Sequence, residues 1–228
     1  NYFNLSREDR SMLRYIDLSE VCFDNRKVSE RDYSNCNAKI DPQKVKNKNL
    51  YRTNLKNVDM HLYDFTDVEV ERANLEGTGA NIDPQRVKNK SLYNTNLAGL
   101  NLSDKEFDGV GVVGANLEGT GANIDPQTVF AKDLRLTRLK GLNLRDKDFT
   151  GVRIDGANLE GTGAKINPQT VIWYDETNTN LAGTVILNLD FPCIYKNTKF
   201  NDTLVPSDEI DKLCNEVAAI KVYKKNNK

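Results

Sequence analysis

An eight-residue string that recurs at a fixed interval constrains this chain more than any other feature of its sequence. Ala-Asn-Leu-Glu-Gly-Thr-Gly-Ala occupies residues 73–80, 115–122 and 157–164, so each copy begins 42 residues after the previous one. Four copies of a 42-residue unit span roughly residues 13 to 180, and part of a fifth follows. Self-similarity at such a period indicates a repeat architecture in which each unit packs only against its neighbours.

Within each unit, apolar residues recur every five positions. In one copy they are Leu97, Leu102, Phe107, Val112 and Leu117, followed by a step of seven to Ile124 and steps of five to Val129 and Leu134. Of 35 such positions between residues 13 and 191, only Glu176 is not apolar. A period of five fits neither a helix nor a strand, so the backbone must turn a corner every five residues. Each unit then makes two four-sided coils of twenty residues, and glycines in the long step accommodate two extra residues.

A second inward position lies two residues before many of the apolar ones, as at Thr53, Val58 and Ala73. Two columns depart from this rule: Gln43, Gln85, Gln127 and Gln169 in one, and Lys105 and Lys147 in the other. Because a lysine inside a narrow core is costly, we expect those sides to flare outward or to take another local shape. Asp83 and Pro84 are typical of a helix N-cap and first helical residue. They predict a single helical or 3₁₀ turn on that side of every second coil.

The motif inside the unit resembles that of the pentapeptide-repeat family, A(D/N)Lxx with the leucine pointing inward. Three segments match it literally, at residues 73–75, 115–117 and 157–159, and the resemblance covers about 180 of the 228 residues. It implies an all-β solenoid, a right-handed quadrilateral β-helix. We therefore expect one repeat domain over residues 1–228, with coils at about 13–195, that rises by about 4.8 Å per coil.

The end of the chain predicts a C-terminal α-helix. Ser207 and Asp208 after a proline are typical of a helix start, and Ile210, Leu213, Val217 and Ile220 recur at helical spacing. A helix at about 207–224 would cap the last coil, whose open backbone groups otherwise invite aggregation. In the gyrase-protecting members of the family a C-terminal segment makes a dimer instead, so a monomer and a homodimer both stay open.

Composition sets limits on the partners. The chain has 32 basic and 33 acidic residues, a balance that argues against a dedicated nucleic-acid binder and equally against a strongly acidic DNA mimic, although local patches can differ from the sum. No apolar run reaches the length of about 18 residues needed to span a membrane. The four cysteines have no metal-site or redox-motif spacing, and we expect free thiols in a reducing, cytoplasmic compartment. They are Cys22, Cys36, Cys193 and Cys214.

No residue is assigned to catalysis, a cofactor or a metal. The single histidine, His61, follows an inward residue and is expected on the surface rather than as a base or a ligand. The Gly-Thr-Gly triplets at 77–79, 119–121 and 161–163 lack the lysine and hydroxyl residue of a phosphate loop, so they are interpreted as corners. The acidic runs at 104–108 and 146–148 could bind a cation or work as acid and base, but Lys105 and Lys147 lie among them, and a solvated face of mixed charge is favoured. Trp173 and Tyr174 are either an exposed recognition patch or part of a repacked coil, and the repacked coil is favoured.

These observations favour a non-catalytic protein-binding or structural module whose partner and binding residues are unknown. The alternative, implied by the resemblance, is a DNA-mimicking protein that inhibits or protects a type II topoisomerase. An enzyme, or a piece of one, has no support in the sequence. Fold alone does not decide among these functions.

Overall fold

Each coil of the chain pairs in parallel with the next one. The computed structural model describes residues 30–34, 39–172 and 179–187, and the backbone of residues 204–206 and 221–223. Parallel bridges join residues 20 or 22 positions apart, as at Asn54 with Asn74 and Asn74 with Asn96, except that Arg153 pairs with Ile172, 19 positions later. The two offsets alternate because every second coil contains the long step of seven. The chain is therefore a β-helix solenoid, as its repeat predicts.

Regular strands are few and short. They form one parallel sheet in the order β1 (Lys165–Ile166), β2 (Val185–Ile186), β3 (Leu204–Pro206) and β4 (Lys221–Tyr223). Lys165 pairs with Val185, Val185 with Leu204, and Leu204 with Lys221. Elsewhere in the described ranges the ladders are isolated bridges, because a corner every five residues leaves little extended backbone between turns.

The apolar residues of the five-residue period form four inward columns along the solenoid, and none of them is more than 7% exposed. The first column is Leu50, Val70, Leu92, Val112, Leu134 and Ile154; the second is Leu55, Leu75, Leu97, Leu117, Leu139, Leu159 and Leu181. The third is Ile40, Met60, Ile82, Leu102, Ile124, Leu144, Ile166 and Ile186; the fourth is Val45, Phe65, Val87, Phe107, Val129, Phe149 and Val171. Large and small side chains alternate in the fourth column, as valine and phenylalanine.

The second inward position is also buried, as predicted, at Thr53, Val58 and Ala73. Where it is a threonine, the hydroxyl finds a carbonyl inside the solenoid. Thr95 Oγ1 donates to the Val70 oxygen at 2.9 Å and Thr137 Oγ1 to the Val112 oxygen at 3.1 Å, each in the coil below. The buried hydroxyls are thus paired, which removes most of the cost of placing them in a core.

The predicted helical turn is confirmed. The Asp83 carbonyl accepts hydrogen bonds from the amides of Arg86 and Val87, while Asp83 Oδ1 accepts the Gln85 amide at 2.9 Å as an N-cap. The same bonds recur at Asp41, Asp125 and Asn167. Three of these turns lead into three-residue corners, Lys46–Lys48, Lys88–Lys90 and Phe130–Lys132, whose last two residues have left-handed backbone with φ between +47° and +59°.

The glutamine column bridges coils at the side where the helical turn displaces the backbone. Gln127 Nε2 donates to the carbonyls of Asp148 and Thr150 in the next coil, at 3.0 and 2.9 Å. Gln43 and Gln85 make the equivalent pairs of bonds. Each glutamine amide thus satisfies two carbonyls that would otherwise bond to a neighbouring strand.

The lysine column also avoids the core, as expected. The Lys105 side chain is 18% exposed and its Nζ lies 3.3 Å from an Asp104 oxygen. Tyr63 holds the equivalent position two coils earlier and packs its ring against the core. The methylene stem of a lysine can cover apolar surface in the same way while its charge stays in water.

The predicted C-terminal helix is wrong at its end. Residues Lys221–Tyr223 are strand β4, paired with β3, whereas the prediction placed them in a helix at about 207–224. The open edge of β3 offers backbone partners that an amphipathic pattern does not reveal, and Val222 and Tyr223 favour strands. Residues 207–220 lie outside the described part. No helix within the described ranges is long and apolar enough to cross a membrane.

Replacing an inward leucine should destabilise the solenoid strongly. Leu117→Ala removes a fully buried side chain and is expected to lower the free energy of unfolding by about 2–5 kcal/mol. The outward neighbour Glu118→Ala is the control and should change it by less than about 0.5 kcal/mol. Urea unfolding of both variants decides this, and equal effects would contradict the inward assignment.

Replacing a bridging glutamine should lower the free energy of unfolding by less than replacing an inward leucine. Gln127→Ala is expected to reduce the free energy of unfolding by about 1–2 kcal/mol, since two hydrogen bonds are lost. Gln127→Glu should cost more at neutral pH, because a carboxylate cannot donate and would face two carbonyl oxygens. Part of that difference should disappear at low pH, where the introduced carboxyl is protonated. A Gln127→Glu variant as stable as the wild type at neutral pH would refute the bridge.

Candidate interaction surfaces

Charged side chains are sorted along the circuit of each coil. We call residues 46–52, 67–72, 88–94, 109–114, 130–136 and 151–156 the basic segments; they hold nine basic and five acidic residues. Residues 39–44, 59–66, 81–86, 101–108, 123–128, 143–150 and 165–170 are the acidic segments, with ten acidic and seven basic residues. Equivalent segments stack along the solenoid, so the near-neutral chain carries an excess of four positive charges on one set of segments and of three negative charges on the other.

Between the basic and acidic segments lies a column of stacked asparagines. Each side-chain oxygen accepts the amide two residues later, as Asn96 Oδ1 does from Ala98. Asn96 Nδ2 also reaches the coil below, donating to Asn74 Oδ1 at 2.9 Å and to Glu76 Oε2 at 3.1 Å. The asparagine of the repeat motif therefore fixes both its own turn and the stacking of coils. Asp32 and Arg138 are the exceptions in this column, which otherwise reads Asn54, Asn74, Asn96, Asn116, Asn158 and Asn180.

The predicted corner glycines take the left-handed backbone region. Gly77 and Gly79 have φ values of +69° and +66°, where a side chain would be strained. Between them Thr78 is buried and its hydroxyl donates to the Leu75 carbonyl at 2.7 Å. The triplet is a corner that holds the two extra residues of the long step, in agreement with the interpretation of the sequence.

A cleft of about 350 Å³ opens beside His61 in the acidic segments. His61 is 55% exposed, as predicted, and its Nδ1 contacts the Asp59 carboxylate. Hydrogen bonds from the side chain and backbone of His61 lower the pKa of Asp59. Arg86 and Lys105 also line the cleft. Opposite charges alternate around it, and no group of three His, Cys, Asp or Glu residues within the described ranges is placed to hold a metal ion.

The carboxylates singled out in the sequence lie on the surface. Asp104, Glu106 and Asp108 are exposed, and so are Asp146 and Asp148. The backbone amide and the hydroxyl of Thr150 lower the pKa of Asp148. Lys105 pairs with Asp104, which agrees with a solvated face of mixed charge. Trp173 and Tyr174 lie outside the described residues.

The structure also contains a groove of about 460 Å³ that was not predicted from the sequence. Its walls include Asn94, Asn116, Leu136, Arg138 and Asn158. Leu136 is 60% exposed, and its Cδ2 would lie 2.7 Å from a Cβ at position 156, so Gly156 makes room for it. A comparison of outward positions between the 42-residue copies would have found it, because Leu136 and Arg138 stand where the preceding copy has Asn94 and Asn96.

The carboxylate of Asp64, at the His61 cleft, supplies a local test of these contacts. Thr66 donates its hydroxyl and its amide to Asp64 Oδ1, which lowers the pKa of Asp64. The stability from this bonding is present above the ordinary aspartate pKa and is lost as the pH falls through the lowered one. Thr66→Val should raise the pKa of Asp64, measured by carboxyl NMR titration, whereas the control Thr150→Val should leave it unchanged. No shift in Thr66→Val would contradict the assigned bond.

One family model matches part of this chain. The family model described as pentapeptide repeats (8 copies) matches residues 133–162. Among solved structures, the chain is similar to HetL, a pentapeptide repeat protein involved in heterocyst differentiation regulation from the cyanobacterium Nostoc sp. strain PCC 7120. The two share 15% sequence identity, the match covers 90% of this chain and 82% of that chain, and the TM-score is 0.19. No curated protein sequence matches significantly. The repeat match and the buried five-residue period identify a right-handed β-helix solenoid, and the chain belongs to the pentapeptide-repeat family.

Proposed function

We propose that the chain is a non-catalytic module that binds a protein partner through the outward positions of its coils. One observation carries the proposal: inward columns repeat from coil to coil, whereas outward positions change and separate into basic and acidic segments. A repeat needs only its inward residues to stack. Charge sorted on a surface steers and orients a partner.

The backbone of the solenoid supports this role. In the second column, the amides of Leu55, Leu75, Leu97 and Leu117 each donate to a carbonyl of the next coil at 2.8 to 2.9 Å. Side chains on such a scaffold are held in place before binding. Preorganisation lowers the entropy lost when a partner docks.

Finer features of the architecture belong to the same proposal. We propose that the four inward columns correspond to four sides of a quadrilateral β-helix, and that the chain works in the reducing cytoplasm. For the C-terminal segment, two roles remain candidates: ending the stack after β4, or joining two copies. Light scattering of the purified chain separates a monomer from a homodimer.

Cross-linking capture tests the function. The chain, with a photoreactive amino acid introduced at exposed positions of the basic segments, should capture discrete proteins from a lysate of its source. A chain with the photoreactive amino acid at the exposed positions 118 and 140, outside both sets of segments, serves as the positional control. The proposal predicts products specific to the basic segments. Absence of protein products from every position would refute it.

DNA mimicry is a second candidate, and the acidic segments are the observation in its favour. Ten carboxylates follow them along the solenoid, but seven basic side chains lie among these carboxylates: Lys39, Lys44, Arg86, Lys105, Arg145, Lys147 and Lys165. Inhibition of a type II topoisomerase in a supercoiling assay, abolished by neutralising the acidic segments, would establish this candidate in place of the first. An unchanged supercoiling rate would dismiss it.

A further inference from the structure

The coil that contains residues 130–140 departs from its repeat only at outward positions. Its inward residues Leu134, Thr137 and Leu139 have the same identity as their equivalents in the two preceding copies. Outward, the Lys-Asn-Lys of 46–48 and 88–90 becomes Phe-Ala-Lys at 130–132. Two further changes, at 136 and 138, replace the asparagines of the preceding copy by leucine and arginine. The changes therefore alter the surface and leave the core intact.

These outward changes place unfavourable residues in the left-handed backbone region. Leu136 has a φ of +59° and Ala131 a φ of +56°. The preceding copy has Asn94 and Asn89 there, and asparagine tolerates this region far better than leucine or alanine. Leu136 and Phe130 are also exposed, by 60% and 66%. Left-handed backbone recurs at other corners of the solenoid, as at Arg52 and Arg72, so it is the exposed apolar side chains that distinguish this coil as a candidate binding site.

The groove beside Leu136 combines apolar and cationic character. Arg138 is its only charged lining residue, and no carboxylate lines it. In the part of the chain that the structure describes, Arg138 makes no ion pair. Asn116 and Asn158 offer amide groups along the same wall. Such a groove suits a carboxylate that is followed by an apolar side chain.

The surroundings of the groove favour the same chemistry. The four basic segments that contribute residues to the groove, 88–94, 109–114, 130–136 and 151–156, hold five basic and two acidic residues. Lys90 and Lys132 pair with no carboxylate within the described ranges, and Lys132 Nζ instead contacts Gln127 Oε1 at 2.6 Å. Arg72 lies 5.3 Å from the centre of the Tyr93 ring and covers it. Since base stacking needs open aromatic faces, this surface favours an acidic peptide over a single-stranded nucleic acid.

We propose that the groove formed by Leu136 and Arg138 binds an acidic segment of a partner protein that carries large apolar side chains. Leu136 contacts an apolar side chain of this segment, and Arg138 pairs with a carboxylate. The proposal rests on the proposed function and names the surface and the partner chemistry.

A displayed library of random peptides, panned on the immobilised full chain, tests this site. The double variant L136N/R138N copies the residues of the preceding copy and should fold with an unchanged or higher midpoint of thermal unfolding. Peptides selected on the wild type should bind the double variant at least about tenfold more weakly than they bind the wild type, which is the loss expected from removing a central contact. The selected peptides should be enriched in aspartate, glutamate, leucine and phenylalanine. Added salt should weaken their binding to the chain.

The control variant is L62D. It removes the most exposed leucine of the described residues and copies the aspartates at the equivalent positions, Asp104 and Asp146. L62D should bind the selected peptides as the wild type does. Peptides that bind L136N/R138N equally well, or that lack an acidic excess, would overturn the proposal. Binding of a labelled single-stranded oligonucleotide that L136N/R138N abolishes would also overturn it.

The two proposals fail in different ways. If cross-linking captures the same proteins with the wild type and with L136N/R138N, the groove is wrongly assigned and the function as a protein-binding module stands. If neither captures any protein, the proposed function itself fails.

Discussion

The whole structure depends on burying one apolar side chain every five residues while the backbone bonds to the coils on either side. Neither requirement suffices alone. A five-residue apolar period buries nothing unless the chain turns at every side, and each turn leaves carbonyls and amides that only the next coil can satisfy. In the second column both are met together: Leu97 is fully buried and its amide donates to the Asn116 carbonyl. Side-chain bonds take over where the backbone cannot reach, as Gln127 does opposite the helical turn.

Features that depend on local sequence could be predicted. The inward columns, the glycine corners and the helical turn at Asp83 each follow from residues within about one turn of each other. The role of the glutamines could not be predicted from local sequence, because Gln127 bonds to carbonyls 21 and 23 residues away. Only a structure brings them together. The strand at Lys221–Tyr223 was missed for a similar reason, since its partner β3 is remote in sequence.

The candidate surfaces were the least predictable part. Net charge sums over the chain and hides the separation of basic from acidic segments, which becomes visible only once the coils are stacked in register. In a sequence, candidate sites are recognised from residues with catalytic or ligating groups, such as His61 and the carboxylates. The groove at Leu136 contains neither, and its signal was a leucine at a place where the repeat has an asparagine. In a repeat protein, outward residues that differ between copies are therefore more informative about binding sites than the repeat motif itself.

Amide hydrogen exchange is the most direct test of the central claim that inward leucines are held between bonded coils. The account predicts slow exchange at the amides of Leu55, Leu75, Leu97, Leu117, Leu139 and Leu159, each of which donates to the coil that follows. Protection should therefore recur along the chain at alternating intervals of 20 and 22 residues. Exchange at these amides as fast as in an unfolded chain, or protection in continuous helical stretches, would contradict it.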